Sequence, residues 1–521
     1  MSEYLEDYTD LLGSPNRTRL YEFIIDSFRR VSPVYTGILF FGLLISIGVY
    51  LVTQNSFYNA IWPNQIVYYL VLIYHVFYRL KNNRANILSP DMLFLVFYTI
   101  VHLGYVTLYS LNLVPQTNRV FYYEESIPRA MFVINLGLFG FLFGYELMGL
   151  RAPFMTSLPP IRTPRAAWEI VAIILMVLAT CMHFLGLSRL GWDWVMREGY
   201  GAIMAAPQYA TFLTVLLLSF STLLMAAAVT IYIIASALRH GKMFYSKIAL
   251  FLTVFYFVIV TLEGSRSSML LFGVPLLLVR HFYIKRLRLY SLVLLFIATM
   301  ALFSALALVR TSALQPGKML QEYRYEKAAD ERGWRAPFVE LGGSFLVVSI
   351  VTQDVPTREP YWLGASWRDA ALHIVPFLQG AISRLGYGRL APSTWITYTY
   401  FGYGAAGRGF TVAAEGYLNF GFAGAFVELL LVGMFIRWLM LFFSRRPSAM
   451  RAIIFVGCLG RAVLLTRNHS NGLLAPCAQI FVLTWLLNII LGNEPMADEF
   501  TMSEYGETSW PTLMIPDNKR R

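Results

Sequence analysis

A dozen long apolar runs separated by short charged loops decide what this chain can fold into. A run of about 18 or more apolar residues, rising about 1.5 Å per residue in a helix, crosses a hydrocarbon core about 30 Å thick. Such runs fall at 34–52, 61–78, 92–111, 127–147, 167–187, 208–238, 248–262, 269–283, 289–309, 410–443, 449–466 and 472–491. They predict an all-α polytopic integral membrane protein of about 12 transmembrane helices. The composition agrees, because 57% of the residues are apolar and only 14% are charged, where a soluble domain carries roughly a quarter charged.

Loop charges orient the spans. Residues 17–30, 79–84, 151–165, 239–247, 280–288, 445–451 and 519–521 each hold three or four Lys or Arg, while the intervening short connections hold two or fewer. Basic loops stay on the cytoplasmic side, so the strict alternation expects both termini in the cytoplasm. The net charge of +12 is spread over these loops and marks orientation, with no nucleic-acid partner implied. No cleavable signal peptide is expected, since the first 33 residues are polar and charged and the first apolar run has full span length.

The expected organisation is a cytoplasmic segment 1–33, nine spans over 34–309, a large outside loop 310–409, three spans over 410–491 and a cytoplasmic tail 492–521. The loop carries eleven basic and eight acidic side chains and is long enough to need structure of its own. Within it, 338–351 and 370–382 are apolar enough for short helices lying on or dipping into the outer leaflet. The run 410–443 exceeds the length of one span and contains Gly416, Gly421 and Gly424, so its first third is expected to be broken or re-entrant.

Chemistry is sought among polar groups that the membrane makes costly. Glu263-Gly-Ser-Arg266 closes an outer hairpin, either offering Arg266 to an anion or letting the two charges solvate each other. Arg310 ends the ninth span, and Arg408 lies between Gly407 and Gly409 where a ligand can approach the backbone closely. In a helix Arg408, Glu415 and Asn419 share one face. Glu415 is the functional candidate and Glu428, deeper, the structural one. Arg461 lies within the eleventh span, and Arg467-Asn-His-Ser-Asn471 forms the next outer turn, where His469 is a candidate general base. Arg437, near the inner end, reads as a snorkelling side chain.

Cys181, Cys458 and Cys477 all lie in apolar runs and read as small buried residues. No metal-ligand, Walker or GxGxxG spacing occurs, so neither cofactor nor metal is expected. A ring of outward arginines with a carboxylate and a histidine suits a phosphate or pyrophosphate leaving group and an activated hydroxyl acceptor.

Glu340-Leu-Gly-Gly-Ser344, Asp354-Val-Pro356, Tyr361-Trp-Leu-Gly364, Ile374-Val-Pro376 and Ala414-Glu-Gly-Tyr-Leu-Asn-Phe-Gly421 together resemble the Wzy-type O-antigen and oligosaccharide repeat-unit polymerases. The resemblance covers mainly 248–424. It implies a GT-C-like, metal-independent glycosyltransferase of the bacterial inner membrane. Such an enzyme moves a growing glycan from undecaprenyl-pyrophosphate onto a lipid-linked repeat unit at the periplasmic face. By that resemblance Arg266 and Arg408 hold the donor pyrophosphate and Glu415 orients or deprotonates the acceptor hydroxyl. Arg310, Arg461 and Arg467 join the pyrophosphate ring by position alone, His469 is the alternative base, and Glu340, Asn419 and Tyr417 are expected to contact the glycan. The implied partners are the lipid-linked oligosaccharide, membrane lipid, a chain-length-regulating copolymerase and a flippase. The competing readings are a flippase or exporter of lipid-linked oligosaccharide, whose basic path should reach both faces, and an O-antigen ligase-like glycan transferase, whose pattern the surroundings of His373 match poorly.

Overall fold

The computed structural model of the chain describes residues 33–81, 88–114, 124–148, 164–191, 212–263, 266–288, 290–299, 335–375, 390–401, 409–445 and 447–491. Lipid offers no hydrogen bonds, so a backbone that crosses it must satisfy its own groups. Among the described residues every regular element is accordingly helical, and the protein is an all-α polytopic membrane protein. The first six helices are α1 (Pro33–Thr53), α2 (Ile61–Lys81), α3 (Pro90–Ser110), α4 (Ile127–Met148), α5 (Ala166–Leu190) and α6 (Phe212–His240). Then come α7 (Lys247–Leu262), α8 (Arg266–Val279) and α9 (Tyr290–Thr299). The loop region contributes α10 (Ala336–Gly342), α11 (Phe345–Asp354), α12 (Ala365–Leu372) and α13 (Pro392–Phe401), and the chain closes with α14 (Val412–Arg445), α15 (Ala449–Leu464) and α16 (Asn471–Ile490).

Nine of the described helical segments are long and apolar enough to cross a membrane. The other three expected spans appear as the shorter apolar helices Lys247–Thr261, Leu270–Ile284 and Tyr290–Thr299. At about 1.5 Å per residue they measure roughly 15–22 Å, less than a full hydrocarbon core. Residues 300–309, expected to extend the last of them, lie outside the described residues.

Helix α4 is the axis of the bundle. Of its membrane-length stretch 83% is buried, against 22% for that of α1, so α1 faces lipid while α4 is enclosed by protein. Its main partner is α14, and glycines bring the two backbones together. A Cβ on Gly140 would sit 2.2 Å from the Phe426 carbonyl oxygen, one on Gly144 2.0 Å from that of Leu430, and one on Gly433 2.2 Å from that of Phe141. Small residues at such contacts replace the hydrophobic drive that lipid cannot supply. The pairings advance together along both chains, so α4 and α14 run parallel.

At the end of the bundle away from the loop helices, charges are buried and matched. Asp91 (0% exposed) accepts from Arg79 Nη2 at 3.1 Å and His75 Nε2 at 3.2 Å, and Tyr35 donates to His75 Nδ1 at 2.6 Å. Both bonds fit one neutral histidine tautomer with its hydrogen on Nε2. Arg437 was expected to snorkel, but it is 1% exposed and its guanidinium lies 5.3 Å from the Tyr145 ring centroid. The aromatic face and the enclosing helices keep it inside.

The loop helices also depart from expectation. Every residue of α11 except Gln353 is buried, between α4 and α14 rather than on the outer leaflet, and Ser349 bonds Ser126 just before α4. A segment apolar on all faces has no side to give to water. Helix α10 packs on α3, where a Cβ on Gly342 would meet the Tyr105 backbone nitrogen at 2.2 Å. Part of the second expected loop helix forms α12, and residues 376–389 lie outside the described ones.

Candidate functional site

Helix α14 is broken where the sequence suggested it would be. Phe420 (φ −143°, ψ 25°) and Gly421 (φ 64°, ψ −146°) leave the helical region, and the positive φ at 421 is one that glycine adopts without strain. The two limbs then fold back on each other: a Cβ on Gly416 would lie 2.6 Å from the Gly424 carbonyl oxygen. In a continuous helix those residues would be about 12 Å apart along the axis. The short limb, 412–419, is therefore a re-entrant arm beside the long limb, 422–445.

A broken helix exposes unpaired C-terminal carbonyls, and the loop before α12 satisfies them. Trp362 N donates to Leu418 O at 2.9 Å and Leu363 N to Asn419 O at 3.1 Å. Asn419, 0% exposed, completes the strap by accepting from Gly364 N at 3.1 Å while its Nδ2 donates to Ser366 Oγ at 2.7 Å and to Glu415 O at 3.1 Å. Its amide is thus committed to holding the strap. Tyr417 packs between the rings of Tyr361 and Phe422, within the field of Arg129 at the start of α4.

Glu415 sits at the centre of this arm and is 0% exposed. Its Oε2 accepts from the Ser470 backbone N–H at 2.6 Å and its Oε1 from Ser470 Oγ at 2.7 Å. That places a carboxylate on the N-terminus of α16, where orphan N–H groups and the helix dipole favour negative charge. Glu428 lies beside Glu415 and the Trp367 indole, and its oxygens reach no hydrogen bond of normal geometry. Glu415 is thus a bonded anchor, while Glu428, expected to be the structural one, makes no hydrogen bond of normal geometry among the described residues. Replacing Glu415 with Ala should cost about 1–3 kcal/mol, because the Ser470 N–H and Oγ then lose their buried acceptor; the denaturation midpoint in detergent reads this.

The anchored turn carries His469, 8% exposed. Neither ring nitrogen makes a hydrogen bond. Burial holds its pKa below the ordinary histidine value; the Glu415 carboxylate opposes that depression and His373 adds to it. His469 lines a small cleft with Ser366, Asp369 and His373 of the α12 region, residues 390–392 at the start of α13, and Asn471. Its internal space is about 10 Å³, room for one water-sized oxygen. Sequence reasoning passed over Ser366, Asp369 and Ser470 and gave His373 no role in this site; only Ser470 had a local signal, as a capping residue before an apolar run.

One and a half turns before the same hairpin turn, Arg461 is half-buried on α15, in the field of Cys477 of α16. Its Nε makes no hydrogen bond among the described residues, and the thiols of Cys458 and Cys477 lie within its field. Arg467 covers Gly409 (φ +78°), where a Cβ would lie 3.6 Å from its Nε. Arg408 and Arg310 lie outside the described residues, as do the side chains of Arg266 and Glu340. Glu263 has a partner other than the one considered: Oε1 is 2.6 Å from His183 Nε2, while His183 Nδ1 is 3.0 Å from Ser221 Oγ. Among the described residues no group of three or more His, Cys, Asp and Glu is placed to hold a metal ion.

The arrangement can bring an anion to a guanidinium and a hydroxyl to an imidazole within one hairpin. The sequence model of one family, described as O-antigen polysaccharide polymerase Wzy, matches residues 35–494. No curated protein and no solved structure matches the chain.

Proposed function

Since the chain belongs to the O-antigen polysaccharide polymerase Wzy family, and so is a polysaccharide repeat-unit polymerase, we propose that it transfers a growing glycan from undecaprenyl-pyrophosphate to a lipid-linked repeat unit at the periplasmic end of the bundle. One observation carries the reading: the α15–α16 hairpin holds a half-buried arginine, Arg461, whose enclosed Nε makes no hydrogen bond, and a buried imidazole, His469, that makes none at either ring nitrogen. Burying such groups unsatisfied costs free energy, which an anionic donor and a hydroxyl acceptor repay.

His469 takes the proton of the acceptor hydroxyl as that oxygen bonds to the donor's anomeric carbon. The bond from that carbon to the pyrophosphate oxygen breaks, and its electrons leave with the lipid pyrophosphate. Arg461 and Arg467 meet the charge that develops there, with Arg266, Arg310 and Arg408 completing the ring. Glu415 acts on the reaction by fixing Ser470 and hence His469. Glu340 and Tyr417 face the glycan, and Asn419 shapes the arm on which Tyr417 stands. The one-oxygen size of the cleft suits a hydroxyl and excludes a phosphate.

The exporter reading requires cations along a path between both ends. Arg79 and Arg437 at the far end are instead sealed among Asp91, His75 and Tyr145, which favours transfer at one end.

The test is elongation of a defined lipid-linked repeat unit by the purified protein in nanodiscs, with no nucleotide and no gradient. A ladder of products is expected; intact units moved across a vesicle bilayer with no ladder would replace the polymerase with an exporter. Arg461→Gln should raise the donor KM about 10-fold or more, the loss of one charge-assisted contact.

A further inference from the structure

The cleft that holds His469 holds a second imidazole whose tautomer is fixed by its surroundings. His373, at the C-terminal end of α12, has Nδ1 2.8 Å from the Asp369 carbonyl oxygen. A carbonyl only accepts, so Nδ1 carries the hydrogen and the neutral ring presents Nε2 as a lone pair. Among the described residues no hydrogen bond occupies that lone pair. His373 is half-buried, in contrast to the enclosed His469, so of the two it is the ring nearer solvent. Both rings line the cleft, whose internal space of about 10 Å³ has room for one water.

The charges around the pair favour a single shared proton. Asp369, on the same helix turn as His373, is held by Arg368 at 2.9 Å, and Glu415 faces His469 from the arm of α14. Arg467 stands two residues before His469 on the turn. Residues 390–392 of the α13 start, Leu, Ala and Pro, bring no titratable group. Two imidazolium ions side by side would repel; one proton passing between two rings does not meet that barrier.

We propose that His373 is the exit of a two-histidine proton relay serving His469. The inference rests on His469 being the base. His469 accepts the acceptor's proton on one ring nitrogen and gives up the hydrogen on its other nitrogen to the bridging water. That water passes a proton to His373 Nε2, and the imidazolium so formed, still bonded to the Asp369 carbonyl, releases its Nε2 proton to bulk water. His469 is left neutral with its tautomer exchanged. A flip of its ring, which no hydrogen bond holds, returns the lone pair to the acceptor side before the next turnover, and no charge accumulates in the buried hairpin. His373 touches no substrate; it acts through His469.

The experiment uses the full-length protein in nanodiscs with a lipid-linked repeat unit as substrate. His373→Gln keeps a donor for the Asp369 carbonyl but cannot take up a proton. Expected are a turnover about tenfold lower, donor and acceptor KM values within twofold of the parent, and a larger solvent deuterium isotope effect. His373→Gly should regain part of the turnover when imidazole is added, which also shows that the variant is folded. The relay is overturned if His373→Gln keeps its turnover within twofold and its isotope effect unchanged while His469→Gln is inactive. If His469→Gln itself retains full turnover, the base is misassigned and the relay falls with it.

Discussion

Replacing His469 with Gln is expected to lower turnover by about 10²- to 10⁴-fold, the range lost with a general base, while the donor KM changes little. Gln has much the same reach but no titratable nitrogen. Purified variant and parent should insert alike, because neither ring nitrogen of His469 holds another group in place. The pH dependence supplies a second measurement. A base must be neutral to act, and burial holds the pKa of His469 below its ordinary value of about 6.5. The acid limb of the turnover profile should therefore lie below that value: activity is present above the depressed pKa and lost as pH falls through it. An acid limb at or above 6.5, or a variant with undiminished turnover, assigns the proton to another group.

The second large effect is structural. Gly144→Val should leave little or no folded protein, since its Cβ would fall 2.0 Å from the Leu430 carbonyl oxygen and 2.9 Å from the Leu430 Cα. Only backbone stands in the way, and backbone in a parallel helix pair cannot swing aside as a side-chain tip can. Overpacking of this kind costs at least about 3 kcal/mol. Gly48→Val, on α1 where a Cβ would meet nothing within 4 Å, is the matched control. Detergent yield and denaturation midpoint distinguish them; equal stability of the two variants would mean that α4 and α14 are not locked by their glycines.

The helical membrane fold was legible because it rests on local facts, the length and polarity of each run. The break in α14 was legible for the same reason: a run too long for one span, with Gly416, Gly421 and Gly424 inside it. The partners of the buried polar groups were not. Glu415 meets Ser470 at a separation of 55 residues and Asn419 meets Ser366 at 53, and no periodicity records which turn will meet which arm. A snorkelling Arg437 follows from its place near a helix end, yet Tyr145, on a neighbouring helix, supplies a face that holds it in. The burial of α11 had a local signal, its lack of any polar stripe, that a surface location does not explain. His373 and His469 are nearly a hundred residues apart in the chain, and only the packing of α12 on α16 makes them neighbours.

The strap from Trp362 to Gly364 has a consequence for engineering. It closes the end of the short limb of α14 with its own backbone N–H groups, so loop and arm are one grafting unit although some fifty residues lie between them in the sequence. Exchanging the loop alone between polymerases, to alter which sugars are joined, would uncap the recipient's arm and shift the hairpin that Glu415 anchors. A functional chimera has to move residues 361–366 and 412–421 as a pair.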